Sequence, residues 1–295
     1  MKAQTIFALL ICLAPGDRLP AAASGDANWP QFRGPNGSGV ANACKPPVKV
    51  VADRAAWKAP LPPGKSSPVL WNGRIFLTGV EAGRLATLAL DAKSGKFLWK
   101  KLAPEVRLES VHTANSVAAS TPCADERRVY VYFFDWRDGN HDGFWTKEEF
   151  IADLTVGLGR PNLAAIRPGG TGDITESHVS WNLRNGIPEI SSPVLHSGRL
   201  HLIRDGRMLS CVNATTGEVV YRERLGAAGQ YSASPVVANG HVYLVSSKGM
   251  LTVVKAGDKF VIAHQADLKA SVAATPAMDP NSLYVRADDA MLAFR

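Results

Sequence analysis

Five Ser/Thr-Pro pairs punctuate this chain: Ser67-Pro68, Thr121-Pro122, Ser192-Pro193, Ser234-Pro235 and Thr275-Pro276. The proline-to-proline steps are 54, 71, 42 and 41 residues. Each pair opens a train of short apolar runs separated by glycine turns. In 190–226, for example, the turns fall at Ser197-Gly198, Asp205-Gly206 and Thr216-Gly217. Runs this short, rich in β-branched residues and broken by Gly beside Asp, Ser or Thr, predict an antiparallel meander. One such sheet cannot bury both its faces alone, so copies must stack beside it.

A step of roughly 40–45 residues with four strands predicts β-propeller blades. The units are 66–102, an interrupted blade starting at Ala119, 190–226, 232–268 and a half unit at 273–295. The half unit carries LYVRADDAMLAF (283–294) and stops after its second or third strand. The stretch 48–57, VKVVADRAAW, is expected to complete it and so close the ring with both ends of the chain. The expected fold is therefore all-β: a propeller of about five four-stranded antiparallel blades, with one short helical insertion.

Residues 1–24 read as an export signal. Lys2 gives the positive start, 6–14 the apolar stretch and Ala21-Ala22-Ala23 a small-residue cleavage site. That stretch is too short for a permanent membrane helix, and Ile11 before Cys12 argues against a lipid anchor. No other segment predicts a transmembrane span. The mature domain is then 25–295, a periplasmic or extracellular monomer. Its positive balance, +7 for the whole chain, is scattered without a Lys/Arg run. Nucleic acid is therefore not the expected partner. Cys211 reads as a small buried hydrophobe, and Cys44 with Cys123 could form a disulfide in an oxidising compartment. Segment 29–40, WPQFRGPNGSGV, reads as a loop whose Trp29 and Phe32 plug an apolar hollow. A functional alternative has Arg33 and Asn36 grip a ligand.

Within 85–99, LATLALDAKSGKFLW, Asp91 can bond its own turn, Gly95 takes the φ > 0 position and Trp99 can dock between blades. The pattern apolar-x-A-L-D-A-x-(S/T)-G-K-x-x-W resembles the repeat of PQQ-type propellers. These include quinoprotein alcohol dehydrogenases and the β-propeller lipoprotein of outer-membrane assembly. Residues 212–221 repeat it more weakly, with Tyr221 at the Trp position. WPQFRGPNGSGV and IRPGGTGDITESHVSW (166–181) resemble an exported branch of bacterial PQQ-like proteins. Complete relatives of this kind carry seven or eight blades.

The interrupted blade contains DGNHDGFWTKEE, 138–149. Every defined position of D-x-[DN]-x-[DN]-G-x5-E is matched. Asp138, Asn140 and Asp142 can turn oxygens inward, Phe144 offers its carbonyl, Thr146 stands where water often bridges, and Glu149 can close with two oxygens. These are the hard oxygen donors that calcium takes. A strand, 129–134, replaces the entering helix, so the expectation is an EF-hand-like insertion at 135–160 with one exit helix near 148–158. A polar turn with a Thr146/Glu149 capping box is the plainer alternative.

His178, with Asp173 or Glu176 as orienter, is a weaker candidate; a strand-end histidine bonded to a turn explains it as well. Gly169-Gly170-Thr171-Gly172 lacks the following helix of a phosphate loop. No catalytic motif stands out. The expected function is an exported binding or scaffold propeller with a protein or polymer partner and a calcium loop. The alternative, a dehydrogenase with PQQ and catalytic calcium, follows only from the resemblance. That chemistry often uses an adjacent Cys pair, which this sequence lacks.

Overall fold

The computed structural model describes residues 8–11, 28–103, 116–126, 128–132, 163–166, 179–188, 190–204 and 206–295. Among these residues there is no α-helix, only 3-10 turns at Pro35–Gly37 and Ala52–Arg54. The expected helix near 148–158 lies outside them.

Strands β1 (Ala8–Ile11), β2 (Val40–Ala41) and β3 (Trp57–Pro60) precede the first complete sheet. That sheet, blade one, is β4 (Val69–Trp71), β5 (Arg74–Glu81), β6 (Arg84–Asp91) and β7 (Phe97–Leu102) in meander order. Blade two is split. Its first part is β8 (Cys123–Ala124) with β9 (Val129–Tyr132), and its second is β10 (Leu163–Ile166) with β11 (Val179–Leu183). Blade three is β12 (Val194–His196), β13 (Arg199–Arg204), β14 (Met208–Asn213) and β15 (Val219–Arg224). Blade four runs β16 (Val236–Ala238), β17 (His241–Val245), β18 (Met250–Lys255) and β19 (Ile262–Asp267). Blade five is β20 (Ala277–Asp279), β21 (Ser282–Arg286) and β22 (Ala290–Phe294), completed by β3.

The two chain ends thus meet in blade five, but with a shifted strand. Trp57 pairs with Ala293 and Pro60 with Ala290, whereas 48–56 forms no strand. Pro46 and Pro47 donate no backbone hydrogen bond, and Ala52–Arg54 coils into its 3-10 turn. Val50 instead buries its side chain in the core, with Val48 and Ala55 packed against the same cluster, and its carbonyl receives the His264 ring at 2.5 Å.

A blade is covered on both faces by its neighbours, so its middle strands need apolar residues without alternation. In β6 every residue from Leu85 to Leu90 is buried. The outer strand β7 has no buried residue. Each Leu, Ile or Phe so buried contributes roughly 1.5–3 kcal/mol.

The third and fourth strands carry a shared signature. Ala89 faces Trp99, Cys211 faces Tyr221 and Val253 faces His264, each with a register shift immediately after. Ala165 faces Trp181 with the same shift. This marks β10 and β11 as a third and a fourth strand, grouped with β8 and β9 as blade two by position in the chain although no pairing joins the two parts. The described residues thus hold four complete sheets of the blade kind and these two strand pairs.

Blade-to-blade bonds explain the Ser/Thr-Pro pairs. Ser192 N–H donates to Ser234 Oγ at 2.9 Å, and Ser234 N–H to Thr275 Oγ1 at 3.0 Å. Thr275 N–H donates to Ser67 Oγ at 3.1 Å, and Ser67 N–H to Thr121 Oγ1 at 2.9 Å. Each hydroxyl satisfies an amide of the preceding blade, so the links run one way around the hub. The proline that follows fixes φ where the chain turns into its inner strand.

The outer side is fastened differently. Trp57 Nε1 donates to Ala92 O and Trp181 Nε1 to Ala214 O, both at 3.1 Å. Each indole lies over a glycine turn of the next blade. A Cβ on Gly95 would sit 2.4 Å from Trp57, and one on Gly217 2.6 Å from Trp181. Asp91 Oδ1 accepts from Ser94 N–H at 2.7 Å, as expected of a residue that starts the turn. Trp99 packs on Phe76 in a cluster shared with Ala124, Val129 and Val131 of blade two.

Candidate functional site

Segment 28–46 crosses the hub and is fastened to all five blades. Trp29 is buried, and it exchanges two backbone bonds of 2.8 Å with Leu70 of β4. Pro30 O receives Ala124 N–H of β8 at 2.8 Å. The Arg33 guanidinium donates to Pro193 O, beside β12, and to Ser38 O. Strand β2 lies parallel to β16, with Val40 opposite Val237. Lys45 N–H reaches Pro280 O, beside β20, at 2.7 Å. Gly34, at φ 67°, lets the loop close on Trp29, because a Cβ there would lie 2.4 Å from the indole.

The plug reading is therefore right for Trp29 and wrong for Phe32, which is 42% exposed. Aromatic spacing alone cannot tell which side of a tight turn faces inward. Of the pair proposed to grip a ligand, Arg33 is turned to backbone carbonyls, and burial lowers its pKa. Asn36 is exposed and lines a hollow of about 570 Å³ between the plug and blade three. Asn28, Asn42, Leu195, His196 and Ser197 also line it. Sequence reasoning missed Asn42 and the blade-three hairpin, because nothing in the chain shows that the two segments meet.

A second hollow of about 310 Å³ shares His196 and Ser197. Its wall holds Arg199, which donates to Asp258 Oδ2 at 2.9 Å. Hydrogen bonding with Arg199 lowers the Asp258 pKa, and the same bond raises that of Arg199. Behind it, His201 faces Cys211, which faces Tyr221, in one cross-strand row. Tyr221 meets Phe260 of blade four with ring centroids 5.8 Å apart. His201 is fully buried with neither ring nitrogen hydrogen-bonded, and burial, then His196 and Arg199, pushes its pKa down to about 4. Burial pushes the Cys211 thiol up to about 11, so it is protonated at neutral pH.

Beside Arg33, Arg286 is the other buried arginine among the described residues. It donates to Ser66 O at 3.1 Å, and burial lowers its pKa to about 10. A Cβ on Gly64 would lie 2.4 Å from Arg286 Nη2, so no room for a ligand remains on that side.

Asp138, Asn140, Asp142, Phe144, Thr146 and Glu149 lie outside the described residues, as do Asp173, Glu176 and His178. Among the described residues no three His, Cys, Asp or Glu side chains converge to hold a metal. Among the described residues Cys44, Cys123 and Cys211 stand in no disulfide, so the bridge that Cys44 and Cys123 could have formed is absent. No helix among the described residues is long and apolar enough to cross a membrane.

Residues 163–294 match the family described as outer membrane protein assembly factor BamB, a PQQ-repeat family. The match begins at β10 and ends with β22. No curated protein matches this chain. Similar solved structures include BamB from Moraxella catarrhalis, 14% identical with TM-score 0.34, over 79% of this chain and 59% of that one. The glutaminyl cyclase of Myxococcus xanthus is 12% identical with TM-score 0.35, over 82% of this chain and 95% of that one. A quinohemoprotein alcohol dehydrogenase from Comamonas testosteroni is 14% identical with TM-score 0.23, over 82% and 28%. The chain thus spans less than two thirds of the Moraxella protein and under a third of the Comamonas one.

Proposed function

We infer that this chain, a PQQ-like repeat β-propeller, is an exported binding or scaffold protein that holds a protein or polymer partner. The observation that carries this reading is the hub plug. A segment tied to all five blades closes the centre and leaves an exposed hollow bordered by Leu195, 54% exposed. A rigid frame with an unfilled hollow on one face suits recognition. The leader-like sequence of 1–24 supports export, and the described family supports a partner at the cell envelope. Photo-crosslinking from position 195 in the native envelope should trap one partner. Equal trapping from Leu98, on the outer strand β7, would overturn the assignment of that face.

The insertion at 135–160 is proposed to bind calcium through Asp138, Asn140, Asp142, Phe144, Thr146 and Glu149. Its support is the complete match of spacing to donor chemistry. Calcium calorimetry on the wild type, Glu149→Gln and Glu148→Gln tests it. Loss of heat in Glu149→Gln alone is expected, and equal heats in all three would reduce the loop to a capped turn. The PQQ dehydrogenase alternative is tested in parallel by adding PQQ and calcium with alcohols or sugars and a dye acceptor. Turnover of the dye would replace the binding reading.

A further inference from the structure

The larger hollow has a chemistry more specific than its shape. Asn28, Asn36, Asn42, Ser38, Ser197 and His196 provide its polar edge. None of its lining residues is Asp, Glu, Lys or Arg, although the chain carries 33 Lys and Arg and 26 Asp and Glu. Asn36 and Asn42 are exposed, and their side-chain amides make no hydrogen bond among the described residues. A carboxamide offers a carbonyl acceptor beside an N–H donor, the arrangement that matches two adjacent hydroxyls. Pro35, Ala43 and Leu195 add small apolar surfaces between these amides. The volume, about 570 Å³, lies in the range of small-ligand sites.

Charge decides against the other polymers. An anionic chain finds no counter-charge in this wall, and a peptide finds no deep apolar pocket for its side chains. A neutral hydroxylated chain needs neither, since its hydroxyls take the amides and its C–H faces take the apolar surfaces. We propose that the hollow between the hub plug and the β12–β13 hairpin binds a neutral oligosaccharide. This rests on the binding reading above and names its ligand class.

The test uses the full chain and calorimetry with neutral gluco-, manno- and xylo-oligosaccharides, with an oligogalacturonate as charged control, at low and high salt. A neutral oligosaccharide should bind with an affinity that salt leaves unchanged, because no charge pair is screened. Asn36→Gly with Asn42→Ala should weaken it at least tenfold. Both positions are exposed, their side chains are unpartnered among the described residues, and glycine keeps the φ of 55° that Asn36 adopts, so an unchanged melting curve is expected and separates lost contacts from lost folding. Neutral binding that survives the double variant, or no neutral binding by the folded protein, overturns the proposal. If only the galacturonate binds, and high salt abolishes it, the ligand class fails while the binding reading stands. If neither sugar binds while the crosslink from position 195 traps its partner, the ligand class likewise fails alone. If that crosslink also fails, both readings fall.

Discussion

The amide of Thr275 donates to Ser67 Oγ across 208 residues of chain, at 3.1 Å. It joins the start of the last blade to the start of the first, with both residues buried. The same bond recurs between consecutive blades at Ser192–Ser234, Ser234–Thr275 and Ser67–Thr121. Closure at the hub is therefore one instance of a repeated joint, added to the strand pairing of β3 with β22.

Ser67→Ala removes the acceptor and leaves the Thr275 amide buried without a partner. Roughly 1–3 kcal/mol of stability should be lost. Ser192→Ala should cost within about 0.5 kcal/mol, since no described amide depends on that hydroxyl. Urea denaturation of the two variants compares them directly. Equal effects would mean that the hub bond contributes nothing specific.

Blade two gives a second expectation. Strand β1 pairs antiparallel with the open edge of β9, with Ala8 opposite Tyr132 and Ile11 opposite Val129. In every other blade that edge belongs to a third strand, and β10 bears the third-strand signature. In a chain beginning at residue 25, β10 should take that edge. Amide exchange at 129–132 should then stay slow, and exchange at 163–166 should slow at least tenfold relative to the full chain. Fast exchange at 129–132 in the shortened chain would show the edge left open, a pairing hazard that native sheets avoid.

His201 sets an acid limit. Its folded pKa is about 4 against an unfolded value of 6.5. Between those values the unfolded chain holds more protons, so stability rises with pH across the window and falls on acidification. The loss on going from pH 7 to pH 5 is about 2 kcal/mol, complete at roughly 3 kcal/mol below pH 4. His201→Leu should remove this part of the pH dependence. Melting curves of both proteins at the two pH values check it, and parallel acid losses would assign the effect elsewhere.

How much of this was legible in the chain divides along a physical line. Ser/Thr-Pro spacing, glycine turns and the Asp91–Trp99 pattern foretold the four-stranded sheets and their strand order, because each is a local instruction repeated at regular intervals. The turn at Asp91 and the docking of Trp99 follow from residues within one unit. Where a segment's place depends on what happens to lie opposite, the chain is silent. The stretch 48–57 looks like a strand by composition, yet only β22 decides that pairing starts at Trp57. Phe32 and Trp29 are both aromatic in one loop, and only the hub decides which is buried. The hollow needs 28–44 and 195–197 to meet across the hub, and the row of His201, Cys211 and Tyr221 is met by Gly257 and Phe260 of blade four. Local propensity is written in neighbouring residues. Burial and shared surfaces arise only when distant ones are brought together, so they belong to the tertiary structure.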